Sequence, residues 1–466
     1  MQRQSLWLAV ALALAAPLAH ADDLKALREE IAQMKQSYEQ RISALEARLA
    51  QAEANAATAT APAPEVSRGV TEGNPRGSTP ASEGAFNPAI SLVLAGTYTR
   101  LTQDPNRYAI NGFIPTGGDV APPRRSFGLG ESELGIAANI DPGLRGQLTA
   151  SLAADGGASV EESFIQTLGL GSGVTVKAGR YLSGIGYMNS QHAHAWDFVD
   201  APLAYKAMLG GQWKNDGVQM KWIAPTDLLV EIGAEAGAGG AFPSTDRNKN
   251  GSTTGALFGH VGGDVGLSNS WRAGLSVLGT SPRDRQYDDV NGAGVGVTNA
   301  FSGRSRTWLT DFVWKWAPDG NATVRNLIVQ GEYFHRRENG SLTYDINGAN
   351  LADDYASTQS GFYAQTVYQF MPRWRVGYRY DRLDSGKVSL GVTGGNPRGS
   401  TPTMADFPLL AAYTPKRNSL MVDFSASEFS RLRLQFARDE SRRDAIDNQF
   451  WLQYVVSLGA HGAHSF

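Results

Sequence analysis

Apolar and polar residues alternate with a period of two from Phe86 to the end of the chain, and no other sequence feature constrains the fold as strongly. In the last segment, Phe450, Leu452, Tyr454 and Val456 share one parity. Because successive side chains of a β-strand point to opposite faces, this pattern predicts strands with one apolar face. Segments of this kind begin near sixteen positions, at residues 89, 129, 144, 159, 174, 217, 228, 256, 271, 307, 325, 361, 374, 418, 431 and 448.

The connections between these segments fall into two classes. Short ones contain turn-forming residues, as at 141–143 (Asp-Pro-Gly) and 318–320 (Pro-Asp-Gly). Most of the others are expected to span about 20–35 residues, and short turns on one rim with long loops on the other are typical of bacterial outer-membrane barrels. A sheet in hydrocarbon must close because no backbone group can stay unpaired there. A soluble β-sandwich or propeller would also alternate, but the loop classes, aromatic residues at strand ends and an export signal favour the barrel.

Residues 1–21 have the three parts of a secretory signal peptide. Arg3 supplies a positive charge, residues 6–18 are apolar, and residues 19–21 (Ala-His-Ala) match a cleavage site. No other segment approaches 18 consecutive apolar residues, so no membrane-spanning helix is expected. Together with the barrel pattern, the signal peptide predicts a location in the outer membrane of a Gram-negative bacterium.

A helical segment and a linker precede the predicted barrel. Within residues 22–56, Leu24, Ile31, Tyr38 and Leu45 recur every seven residues, which predicts a short periplasmic α-helical coiled coil. A single amphipathic helix docked on the main domain is the alternative. Residues 57–85 are rich in Ala, Thr, Pro, Gly and Ser and are expected to form a flexible linker. Residues 86–466 are then an all-β transmembrane barrel of about 16 antiparallel strands, rather than fourteen or eighteen.

The composition excludes several classes of function. The chain has no cysteine, and therefore neither a disulfide framework nor a Cys-ligated metal site. Its 42 Lys+Arg and 45 Asp+Glu give a net charge of −3, so no nucleic-acid partner is expected. The sequence carries no nucleophile elbow, P-loop, dinucleotide fingerprint or zincin helix. An enzyme is therefore not expected.

Four stretches resemble known outer-membrane proteins: FNPAISLVLAGTY (86–98), FGLGESEL (127–134), KAGRYLSGIGYMNSQHAHAWDFVDAPLAY (177–205) and SLGAHGAHSF (457–466). Residues 86–466 are similar to the trimeric outer-membrane porins, and these stretches more closely resemble a proteobacterial group labelled zinc-regulated outer-membrane receptors. The resemblance implies a homotrimer in outer-membrane lipid, with Phe466 recognised by the barrel assembly machinery. An energised receptor needs about twenty-two strands and a large plug, so we interpret the chain as a passive or substrate-selective pore.

The connection at 182–211 carries the candidate site. In the porins that the chain resembles, the third loop folds into the lumen and forms the constriction, and this is the third loop by count. It contains His192, His194, Asp197 and Asp200. Because residues i and i+2 of an extended chain point the same way, both imidazoles are expected to reach one zinc ion, with a carboxylate completing the set. The alternative is that the histidines hold the loop against the wall by hydrogen bonds.

A second candidate metal pair lies on a strand. His260 and Asp264 share the inward face of the segment near residue 256. Zinc or another divalent ion is therefore expected as a solute or a regulator, and no cofactor is required.

Charged residues at inward positions form two groups of opposite sign. The basic group is expected on late strands and the acidic group on earlier ones, with Lys177 and Lys221 also facing the lumen. Opposed charges would create a transverse field that orients solutes, with modest ion selectivity. Alternatively, the charges pair across strands and hold the barrel's shape. The two groups are Arg375, Arg379, Arg431 and Arg433, and Glu131, Glu133, Glu231 and Glu235.

The sequence thus predicts an outer-membrane pore for small hydrophilic solutes, narrowed by its third loop. Two alternatives stay open. In one, the barrel anchors a structural tether whose coiled coil binds peptidoglycan or a periplasmic partner. In the other, the protein is an outer-membrane receptor.

Overall fold

The computed structural model describes residues 88–117, 120–152, 157–391 and 403–459. The predicted signal peptide, coiled coil and linker lie outside these residues, as does Phe466.

The described chain consists mainly of long antiparallel strands. One α-helix, α1 (Leu203–Leu209), and short 3-10 turns at Pro105–Arg107, Ala193–Ala195, Pro318–Gly320, Met404–Asp406 and Pro408–Leu410 lie between them. Among the described residues, no helix is long and apolar enough to cross a bilayer. The strands are β1 (Ala89–Leu101), β2 (Ser126–Leu129), β3 (Ser132–Asp141), β4 (Leu144–Leu152), β5 (Ala158–Thr167), β6 (Val174–Leu182), β7 (Lys214–Ile223), β8 (Leu229–Gly237), β9 (Thr254–Val265), β10 (Asn269–Thr280), β11 (Arg285–Val290), β12 (Gly296–Trp316), β13 (Asn326–Tyr344), β14 (Leu351–Met371), β15 (Trp374–Leu390), β16 (Lys416–Ser427), β17 (Ser430–Glu440) and β18 (Asp447–Gly459).

These segments form a closed barrel of sixteen strands. Each segment pairs with its neighbours in sequence, and β18 returns to pair with β1, with Ser91 opposite Gly459. Both β2 and β3 pair with β1, and both β10 and β11 pair with β12, so each of these couples is one interrupted wall strand. The 18 segments therefore make sixteen strands, which confirms the predicted number.

The two faces of the wall have opposite chemistry. Large apolar side chains are exposed on the outside, among them Leu275 (62%) and Leu420 (51%). Charged side chains such as Arg379, Arg417 and Asp423 point inward and are buried. A soluble sandwich would bury its apolar face instead. The chain is therefore a membrane-embedded barrel of the outer-membrane type.

The connections differ from the expected two classes. Turns join the strands at one rim, called here the turn rim, and the other connections lie at the opposite, long-loop rim. Four connections at the long-loop rim are short, at 153–157, 291–295, 345–350 and 441–446. The expectation of 20–35 residues is wrong there, and at 291–295 and 345–350 the reason is that strands β12 to β14 continue further than their apolar alternation. Strands β12 to β15 contain 17 to 21 residues each, so the wall is tall on that side.

The third connection at the long-loop rim, residues 183–213 and called loop 3 here, folds into the barrel, as predicted. Every residue of α1 is buried. Tyr205 and Met208 belong to a core that includes Phe334 and Leu383 from the wall and Phe113 from the first connection. The part of the lumen beside this core is therefore filled by apolar side chains.

Candidate functional site

A polar cavity of about 1440 Å³ enters the barrel from the turn rim. Loop 3 forms its inner end through Tyr187, His192, His194 and Asp197. Behind loop 3 lies a gap of about 10 Å³, lined by residues that include Asp200. A space of about 10–15 Å³ holds a single water molecule. Loop 3 thus narrows the lumen between the His–Glu side and the basic side of the wall.

The histidines of loop 3 contact three glutamates of the wall. His192 Nδ1 lies 3.2 Å from Glu133 Oε2 and 3.3 Å from Glu161 Oε2. His192 Nε2 lies 3.1 Å from Glu162 Oε2. His194 Nδ1 lies 2.8 Å from Glu133 Oε1, and the two imidazole rings stack with centroids 5.7 Å apart. We call these five residues the His–Glu cluster.

A β-bulge explains why neighbouring glutamates both face inward. Thr149 pairs with Glu162 and the next residue, Ala150, pairs with Val160, so Glu161 has no partner in the register. The extra residue lets Glu161 and Glu162 both point into the lumen, where both are buried. Strict alternation would place one of them outside, and for this reason the sequence pattern missed the pair.

His192 and His194 both contact Glu133, but not because the backbone between them is extended, as was expected. Residues 193–195 form a 3-10 turn between the two side chains rather than an extended strand. The extended i, i+2 geometry is therefore wrong, although both rings do lie on the same side of loop 3.

His192 behaves as a cation in this cluster. Burial by itself lowers the pKa of the imidazole, but hydrogen bonds with Glu133, Glu161 and Glu162 outweigh it and raise the pKa to about 12. As an imidazolium, His192 fixes loop 3 to strands β3 and β5.

The two aspartates of loop 3 lie against the opposite wall. Asp197 accepts a hydrogen bond from Arg375 Nη1 at 2.9 Å, and Asp200 forms ion pairs with Arg379, Arg417 and Lys206. Asp197 and Asp200 therefore do not supply the carboxylate expected beside the histidines. The carboxylates near the histidines come from the wall, and the aspartates neutralise the arginines.

The predicted lumen charges lie at inward positions, with the arginines on β15 and β17 and the glutamates at the start of β3 and on β8. Arg431 donates to the carbonyl oxygen of His194, and Arg433 donates to the carbonyl oxygen of Trp196 at 2.8 Å. On the acidic side, Glu231 pairs with Lys221 at 3.1 Å. The remaining members are Arg375 and Arg379 beside loop 3, Glu235 bonded to Ser183, Glu133 in the His–Glu cluster, and Glu131 two residues before it.

The second predicted metal pair does not form. His260 Nδ1 lies 3.0 Å from Glu231 Oε1, and its Nε2 lies 3.9 Å from Asp311. Asp264 is exposed and four residues further along β9, about 13 Å away at the rise of a strand. His260 therefore belongs with Glu231 and Asp311.

Glu332 is an anchor of loop 3 that the sequence pattern did not reveal. Its carboxylate accepts hydrogen bonds from the Met188 backbone N–H at 2.9 Å, from Tyr205 Oη at 2.9 Å and from Tyr363 Oη at 2.8 Å. Parity places Glu332 inside the barrel, but nothing local indicates that loop 3 reaches it.

No model of a known protein family matches the chain. An uncharacterised protein of Aquifex aeolicus is 30% identical over 413 residues, which cover 83% of this chain and 82% of that protein. The chain belongs to the same family as this Aquifex protein.

Several solved structures of outer-membrane proteins resemble the chain at low identity. The trimer form of OmpT, an outer membrane protein of Vibrio cholerae, matches 80% of this chain and 100% of its own, with a TM-score of 0.48 and 12% identity. The outer membrane channel DcaP of Acinetobacter baumannii matches 81% and 99%, with a TM-score of 0.47 and 12% identity. An anion-selective porin from Comamonas acidovorans matches 80% and 100%, with the same score and identity.

Proposed function

We propose that this protein is a pore of the Gram-negative outer membrane for passive or substrate-selective uptake of small hydrophilic solutes, assembled as a homotrimer. One observation carries the proposal: a barrel with an apolar exterior encloses a polar cavity of about 1440 Å³ that ends at a charged loop. A closed barrel shields this cavity from lipid, so hydrated solutes can enter it from the turn rim.

Passage through the barrel requires loop 3 to move. The gap behind it is about 10 Å³, too small for a hydrated solute. Ion pairs hold both flanks of loop 3, and apolar contacts hold α1. In this proposal the docked arrangement of loop 3 is the closed state, and loop 3 is the gate.

The finer proposal is that zinc or another divalent ion binds the His–Glu cluster as solute or regulator. Zinc bonds of about 2.0–2.1 Å in a tetrahedron hold ligand atoms about 3.3 Å apart. His192, Glu133 and Glu161 each offer one ligand atom, all within 4.8 Å of one another. The distances from Nδ1 to the two carboxylates, 3.2 and 3.3 Å, fit this geometry. They also fit hydrogen bonds from an imidazolium, so zinc has to displace its proton.

Both the pore proposal and the zinc proposal are tested by single-channel conductance of the purified full chain in a planar bilayer. Zinc is titrated from nanomolar to millimolar concentrations. We expect openings in threes that zinc blocks or shifts in the parent but not in the His192→Ala/His194→Ala double variant. His335→Ala, which removes an imidazole from outside the His–Glu cluster, is the matched control and should respond like the parent. Openings indifferent to zinc would leave a general pore without a metal site.

The filled lumen also favours a second candidate function, the structural tether. In that case the barrel would be silent in the bilayer even in a variant with loop 3 released, and deletion of residues 22–56 would abolish attachment to the periplasmic partner. In a pore, conductance survives that deletion.

A further inference from the structure

Three cationic residues form a row across neighbouring strands on the outside of the tall wall. Arg306 on β12 lies directly opposite Arg337 on β13. Thr358 on β14 lies between Arg337 and Lys387 on β15 and is directly opposite both. All four are exposed, while their sequence neighbours Thr307 and Arg336 are buried. Arg306, Arg337 and Lys387, called the cationic row here, therefore project away from the lumen.

The cationic row lies immediately above an aromatic and apolar surface. One step nearer the turn rim on the same face is Trp308, and the guanidinium groups of Arg306 and Arg337 each lie 5.8 Å from its ring centroid. The next positions of β12 on this face include Phe312, which is exposed. In membrane barrels, such aromatic residues mark the interface between hydrocarbon and headgroups. Arg306 and Arg337 thus lie at headgroup level on the long-loop side.

The charges of the cationic row are not neutralised by the protein. Within the part of the chain that the structure describes, no carboxylate comes within ion-pair distance of the three residues. The adjacent Glu338 faces the lumen and pairs with Arg285 at 2.9 Å. Like charges placed directly opposite each other destabilise a sheet, so an external anion is needed to offset them.

We propose that the cationic row binds the phosphate groups of lipid headgroups, in particular those of the phosphorylated glycolipid in the outer leaflet of a Gram-negative outer membrane. Guanidinium groups match phosphate oxygens with paired hydrogen bonds, and the ammonium group of Lys387 adds a third positive charge. Trp308 and the apolar surface beneath it contact the acyl part of the same molecule, which free phosphate lacks. This face of the barrel therefore contacts lipid rather than a second copy of the chain.

The proposal is tested by measuring how tightly purified lipopolysaccharide binds the full chain in detergent. The parent is compared with the triple variant Arg306→Gln/Arg337→Gln/Lys387→Gln. A basic residue near an anionic surface contributes about fivefold, so the triple variant should bind about 150-fold more weakly. The matched control, Arg124→Gln/Arg125→Gln/Lys249→Gln, removes three exposed charges elsewhere and should keep parental affinity. Arg306→Lys/Arg337→Lys keeps the charge and should retain most of the binding.

Two results would overturn the proposal directly, and a third would also count against it. One is parental affinity in a triple variant whose heat-modifiable migration shows a folded barrel. The other is competition by inorganic phosphate at a concentration equal to that of the lipid phosphate, which would make the site one for free anions. If the charge-conserving variant Arg306→Lys/Arg337→Lys bound as weakly as the triple variant, the loss would come from altered side-chain shape and not from lost charge. This result would also count against the proposal.

Discussion

Replacement of Asp200 by asparagine is expected to release loop 3 from the basic wall. The carboxylate lies 2.8 Å from Lys206 Nζ and 3.2 Å from Arg379 Nη2, and it also pairs with Arg417. Burial alone would raise the pKa of this carboxyl group, but Arg417, Lys206 and Arg379 outweigh it and hold the pKa of Asp200 well below its usual range. Asparagine keeps the shape and removes the charge, which leaves three cations facing one another.

The size of the free-energy change depends on which carboxylate partners each cation keeps in the Asp200→Asn variant. Removal of one partner from a buried ion pair costs about 3–5 kcal/mol. Arg379 keeps Asp381 at 3.0 Å and Arg417 keeps Asp439 at 3.8 Å, whereas Lys206 lies on α1 within loop 3, so its pair with Asp200 does not tie loop 3 to the wall. The lower end of the range therefore applies. A change of about 3 kcal/mol multiplies the ratio of open to closed loop by about 150.

The assay is the dwell-time distribution of single channels in a planar bilayer at neutral pH. The Asp200→Asn variant should spend about 150 times longer open, relative to closed, than the parent. Asp264→Asn is the control, because it removes the same charge at an exposed position of the large cavity, away from loop 3. Equal dwell times in the Asp200→Asn variant and the parent would refute the idea that ion pairs hold the gate.

Three further predictions concern the same gate. Tyr205→Phe removes a hydrogen bond to the Glu332 carboxylate, at a cost of about 1.5–3 kcal/mol, and should raise the open-to-closed ratio by about 10- to 150-fold in the same recordings. Arg431→Gln removes a positive charge from the cavity wall and should shift the reversal potential under a KCl gradient towards cation selectivity. The closed loop raises the pKa of His192 from 6.5 to about 12, so the imidazolium stabilises the closed state fully below pH 6.5 and loses this effect as pH rises towards 12. The open fraction should therefore increase from pH 7 to pH 10 in the parent and stay constant in His192→Gln.

Each of these has an outcome that contradicts it. An unchanged ratio in Tyr205→Phe would mean that Glu332 does not hold the closed loop. An unchanged reversal potential would place the ion path away from Arg431. A pH response retained by His192→Gln would assign the titration to another group, such as Lys206.

The barrel could be predicted because lipid and a polar lumen impose their chemistry on alternate residues. Strands β17 and β18 begin at residues 430 and 447, within one residue of the predicted starts. The pattern fails where the outward face leaves the hydrocarbon. Arg306 and Arg337 occupy outward positions on β12 and β13, so the apolar alternation ends although the hydrogen-bonded strands continue.

The candidate site could be predicted only in part. The His-X-His sequence of loop 3 stands out because histidine is scarce in this chain, with 7 in 466 residues. The carboxylate partners could not be inferred, since they depend on a bulge at Glu161 and on where a loop of 31 residues docks. Their shared loop placed Asp197 and Asp200 with the histidines at the constriction, and the arginines of the far wall that bind them could not be inferred.

The docking of loop 3 has a consequence for the order of folding. Asp200 and Arg417 are separated by 217 positions, Tyr205 and Glu332 by 127, and Trp196 and Arg433 by 237. Contacts this distant in sequence carry a large loop-closure entropy and form late. Loop 3 therefore finds its partners only after strands β13 to β17 have joined the wall. Until that moment the newly inserted barrel is an unobstructed hole in the membrane, and the docking of loop 3 seals it.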